Sequence, residues 1–207
     1  RGYSCDIIDA TGYIFCIVNS SESASEINAA IENTMNFGLD SIYDNFNLSI
    51  SYVVSDAEHT PYELSAACSE ALYLLNYKNM LGIEQPLFYS YYKNRPSASD
   101  SYFSADTEQI LINYISNGRE DKAYECIDEI FNSLKSANLP LDRLKCVLID
   151  IASVLLKIPG INISDDEQTH LFSMIFSASG NLSDMKKIMF GTISNICGQI
   201  KAQSAMY

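Results

Sequence analysis

The spacing of apolar residues changes near residue 100. Before it, short extended runs alternate with amphipathic stretches. After it, every apolar stripe recurs at the three-to-four-residue interval of a helix. Cys5-Asp6-Ile7-Ile8-Asp9, the turn signal Ala10-Thr11-Gly12 and the mostly apolar Tyr13 to Val18 predict a hairpin whose second strand suits the interior of a sheet. Ser23-Ala24-Ser25-Glu26 has capping-box form, and Ile27, Ala30, Ile31, Thr34 and Met35 follow at helical spacing, predicting a helix over about 24–44. Leu48 to Val54 reads as a strand. Thr60-Pro61-Tyr62-Glu63 joins a Thr cap, a proline at the first helical position and a Glu three residues after the cap, so a second helix starts there and should end near Gly82. Pro86 to Tyr92 reads as a closing strand, with Tyr89, Tyr91 and Tyr92 on an edge and Tyr73 and Tyr77, one turn apart, packed against the sheet.

The order strand, strand, helix, strand, helix, strand predicts an α+β half-sheet with helices on one face. Periodicity is lost over Tyr91 to Asp100, where a domain boundary is placed, giving domains at 1–95 and 104–207. The second domain is expected to be an all-α bundle of five helices. The first carries Ile110, Leu111, Tyr114 and Ile115 and stops at Gly118; the second carries Tyr124, Ile127, Ile130, Phe131 and Leu134. The third starts at Pro140, carries Leu144, Leu148, Ile151, Leu155 and Ile158, and ends at Pro159-Gly160. A capping box at Ser164 to Glu167 opens the fourth, through Phe176, and Ser183 opens the last, through about Ser204.

The chain's 207 residues are enough for two domains of about 100 each. With 26 acidic and 13 basic residues the net charge is −13, which repels a phosphate backbone, so no direct nucleic-acid contact is expected. No run of about 18 apolar residues would span a bilayer, and no leader is visible, so no membrane contact is expected of this chain. Its start at Arg1 without Met reads as a piece of a longer protein. The cysteines, Cys5, Cys16, Cys68, Cys126, Cys146 and Cys197, stand singly with no C-x-x-C spacing. They are expected to be buried free thiols of a cytoplasmic protein rather than zinc ligands. His59 and His170 lack a cluster of other ligands, and no P-loop, G-x-G-x-x-G or G-x-S-x-G occurs, so no catalytic, metal or cofactor site is expected.

The run Ser69-Glu70-Ala71-Leu72-Tyr73-Leu74-Leu75-Asn76-Tyr77-Lys78, between the strand-like segments 48–54 and 86–92, resembles the last helix of GGDEF-type nucleotide-cyclase domains, A-D-x-A-L-Y-x-A-K. That resemblance implies a truncated GGDEF-like, ferredoxin-like palm without its first strand and helix. It places the family's catalytic turn on Ala10, Thr11, Gly12, Tyr13 and Ile14, where neither Gly12 nor Tyr13 supplies the carboxylate a metal needs. The implied domain is degenerate and non-catalytic. Asp6 and Asp9, at the strand ends beside the turn, read as solvated turn residues.

With the helical segment opening Ser104-Ala105-Asp106-Thr107-Glu108-Gln109 and continuing Gly118-Arg119-Glu120-Asp121, the whole resembles the middle region of large AraC-type transcription regulators. In that family a membrane-anchored sensor precedes such a region, and a helix-turn-helix domain follows it. The resemblance implies a homodimer, DNA contact only through a domain beyond this chain, and a relay role. An effector module holding a guanine nucleotide or another metabolite is the alternative. Sugar-diacid and purine-catabolism regulators, which share degenerate GGDEF-like domains, are possible parents as well.

Overall fold

The computed structural model describes residues 3–10, 12–56, 60–93, 102–159, 161–177 and 180–204. Thr11, His59, Gly160 and the 94–101 part of the expected boundary lie outside the described residues. Strands β1 (Ser4–Ala10) and β2 (Tyr13–Asn19) pair antiparallel from Ser4 opposite Asn19 to Ala10 opposite Tyr13. Gly12 has φ 81°, left-handed backbone that glycine adopts without the clash a Cβ would bring.

Helix α1 (Ala24–Phe46) begins at the expected capping box, where the Ser23 N–H donates to Glu26 Oε2 at 3.0 Å. It closes on Asn47 in the left-handed region. The box at Thr60 also forms, with its N–H donating to Glu63 Oε2 at 3.0 Å. One 3₁₀ turn, Pro61–Glu63, leads from it into α2 (Leu64–Leu81). Gly82, at φ 65°, ends α2 as expected.

The strands differ from the sequence expectation. Of Leu48 to Val54, only β3 (Val53–Val54) is a strand, and of Pro86 to Tyr92 only β4 (Leu87–Phe88) is, the two running parallel. Leu48 and Ile50 are exposed. A strand persists only where a neighbour offers a hydrogen-bonding ladder, and β4 offers two residues. The strands therefore form two separate two-stranded sheets instead of one half-sheet. The coarse α+β class holds. The hairpin is also not interior. Tyr13, Phe15 and Ile17 are half-buried, while Ile7 and Ile14 on its other face are 70% and 71% exposed.

The tyrosines after β4 turn into a helical turn, α3 (Tyr89–Tyr92), rather than completing an edge strand. The turn swings the Tyr92 ring onto Tyr73 and Tyr77, a tertiary contact that overrides the strand preference of tyrosine.

The helical half matches its pattern. Helices α4 (Ala105–Ser116), α5 (Glu120–Ser136), α6 (Leu141–Leu156), α7 (Asp165–Phe176) and α8 (Leu182–Ser204) follow in order. Ser164 and Glu167 close the expected box at the start of α7. Helix α8 packs against α4, α5, α6 and α7, burying Met185, Met189, Ile193 and Ile196 at helical spacing. Leu111, Ile127, Phe131, Leu148, Ile151 and Leu155 meet it in one apolar cluster. Tyr77 and Met80 of α2 belong to that same cluster.

Burial of the cysteines is also corrected. Only Cys197 is buried; Cys68 and Cys126 are half-buried, and Cys5, Cys16 and Cys146 are exposed. Cys5 and Cys16 share the uncovered hairpin face with Ile7 and Ile14. Cys146 sits among the outward positions of α6.

Candidate functional site

Helix α2 carries the quoted motif residues, and its fourfold stripe Leu74, Tyr77, Lys78 and Leu81 repeats at i, i+3, i+4 and i+7. Leu74 and Tyr77 are fully buried, and Lys78 is 2% exposed. A buried ammonium must be hydrogen-bonded. Lys78 Nζ donates to the Glu84 carbonyl at 2.7 Å and to the Gln85 carbonyl, pinning the loop that leads into β4. Burial lowers the Lys78 pKa from its ordinary value, and the neighbouring Glu84 partly opposes that shift.

Tyr73 and Tyr77 do not face a broad sheet as expected. Tyr77 packs its ring against Tyr92, centroids 4.8 Å apart, and Tyr73 approaches the same ring at 5.8 Å, both edge-on. The Tyr73 and Tyr92 hydroxyls lie 3.2 Å apart. The Leu141 N–H donates to the Tyr73 hydroxyl oxygen at 2.9 Å.

Leu141 is the first residue of α6, and Pro140 occupies the cap position without a side-chain acceptor. The first N–H groups of a helix have no partner within it. Tyr73 therefore caps α6 from α2, across 68 residues of sequence. Burial first, then the hydrogen bond with Tyr73, drives the Tyr92 hydroxyl pKa far above its ordinary value. At neutral pH the joint is uncharged and can both donate and accept.

The hairpin turn lies elsewhere. Ala10 pairs with Tyr13, so a two-residue connection bridges the strands, and neither Gly12, Tyr13 nor Ile14 bears an oxygen that ligates metal strongly. No group of three or more His, Cys, Asp or Glu converges among the described residues. Asp6 and Asp9 are exposed, and His170 is an exposed position of α7. At the junction of α2 with α8, Leu81, Gly82, Lys135, Asn181, Leu182 and Ser183 line a cavity of about 140 Å³. No helix of the described residues is long and apolar enough to cross a membrane.

Sequence reasoning missed Tyr92 as a joint residue and Lys78 as a buried latch. Both left a signal. Pro140 at a helix start implies an acceptor supplied from outside the helix, and a lysine within an apolar helical stripe implies buried carbonyl partners. No family model, no curated protein and no solved structure matches the chain.

Proposed function

We propose that this chain is a non-catalytic relay and dimerisation region of an AraC-type bacterial transcription regulator. In this reading, residues 1–95 are a degenerate GGDEF-like palm that receives a sensor's signal in the cytoplasm. The helical half passes it to a DNA-binding domain outside this chain.

The observation that carries the reading is the capping of α6 by Tyr73. A shift of α2 by one or two ångströms would take the hydroxyl out of reach of the Leu141 N–H, so α6 would register movement of the palm. The absence of a carboxylate from Ala10 to Ile14 supports the non-catalytic part. Two copies brought together through the acidic surface need close apolar contacts to offset like-charge repulsion, and the uncovered hairpin face offers them.

Sedimentation velocity across a hundredfold concentration range tests the dimer: growth of a two-chain species is expected, and a monomer throughout sinks the dimer-based relay. Thermal-shift measurements with GTP and cyclic di-GMP test the alternative. No Mg²⁺-dependent stabilisation is expected, and such a shift would favour the effector-binding reading. Incubation with GTP and Mg²⁺ should yield no cyclic product.

A further inference from the structure

The hairpin holds chemistry that a relay does not use. The register sets Cys5 opposite Val18 and Ile7 opposite Cys16. Opposed residues share a face, and so do residues two apart on one strand, which makes Cys5 and Cys16 diagonal neighbours on the same face. The twist of a two-stranded ribbon brings one diagonal together. Here it is this one, the Cys5 side chain lying within reach of the Cys16 thiol. Both cysteines are exposed, and Ile7 and Ile14 beside them are exposed as well, so small reagents reach the sulfurs.

We propose that Cys5 and Cys16 form a reversible dithiol–disulfide site, oxidised by a low-molecular-weight disulfide such as oxidised glutathione. The thiolate of one cysteine, its proton given to solvent, attacks a sulfur of glutathione disulfide. One glutathione thiolate leaves and takes up a proton. The second cysteine, losing its own proton, then attacks the protein sulfur of the mixed disulfide and expels the other glutathione. Two protein thiols are oxidised to one S–S bond, and one glutathione disulfide is reduced to two thiols. The bond ties β1 to β2 across the turn and holds their register. Exposed disulfides of this kind are readily reduced again, which suits a regulatory site. The site lies on the hairpin face that the relay reading offers to the dimer. The oxidation is therefore run on dilute protein, below the concentration at which a two-chain species grows, and either reading can then fail without the other.

The test treats the native full chain with oxidised glutathione, alkylates the remaining thiols, digests it and identifies the products by mass spectrometry. Two of the six thiols should be lost to an internal Cys5–Cys16 link, and a dithiol reductant should restore both. Cys5→Ser should trap glutathione on Cys16, whereas Cys146→Ser should leave the link unchanged. The proposal is overturned if Cys5 and Cys16 remain fully alkylatable. Stable glutathione adducts on both, or a link between chains instead of within one, overturn it equally.

Discussion

The Tyr73 hydroxyl oxygen takes the Leu141 N–H and lies beside the Tyr92 hydroxyl. Tyr73→Phe keeps the ring and removes only that oxygen, leaving a helix-start N–H without its acceptor. A loss of about 1–2 kcal/mol is expected, read as a lower urea midpoint at unchanged slope. Tyr92 makes the joint sensitive to alkali. Its folded pKa lies above the ordinary value of 10, so its contribution to stability is fully present below pH 10 and is lost as pH rises beyond it. Lys78 acts in the opposite sense. With a folded pKa below 10.5, its unfolded form binds more protons in the window between the two values, and stability rises with pH there. Tyr92→Phe isolates the tyrosine: urea midpoints from about pH 9 to 11 should fall less steeply in the variant than in the wild type. An equal fall in both would remove Tyr92 as the cause. At this scale the joint was only half legible, because the sequence marks Tyr73 and Tyr77 as a pair but not the partner that a later segment brings to them.

Elements differ in how far their neighbours cover them. Leu148 of α6 is fully buried in the common cluster, whereas Ile14 of β2 is 71% exposed. Leu148→Ala should cost about 2–5 kcal/mol through lost transfer energy and a residual cavity. Ile14→Ala should cost under about 0.5 kcal/mol. Denaturation of the two variants checks both figures, and similar losses would mean that the hairpin face is covered in solution. The helices were readable because their caps and apolar stripes are local: Ser23, Thr60 and Ser164 each close a box with a Glu three residues on. Strands were less so. Leu48 to Ser51 has the same alternation as a strand and lacks a partner ladder.

Across the whole molecule, α2 shares its buried face with the helical bundle, while β1, β2 and α1 contribute no buried residue. Local opening free energy follows buried apolar contact. Native-state hydrogen exchange should therefore protect α2 amides at the level of α5, α6 and α8, and β1, β2 and α1 should exchange through smaller openings. Uniform protection would show that the hairpin and α1 are held as tightly as the core. The sequence by itself determined the five-helix half, both ends of α2 and the absence of a carboxylate from the hairpin turn, since periodicity, capping and residue identity are properties of neighbours along the chain. Tertiary structure alone decided which extended runs became strands, which cysteines face water, and that Tyr73 caps α6. Each of those depends on surfaces that meet only when distant segments pack: Pro140 signals that α6 needs an acceptor from outside, and nothing local names Tyr73, 68 residues away, as its source.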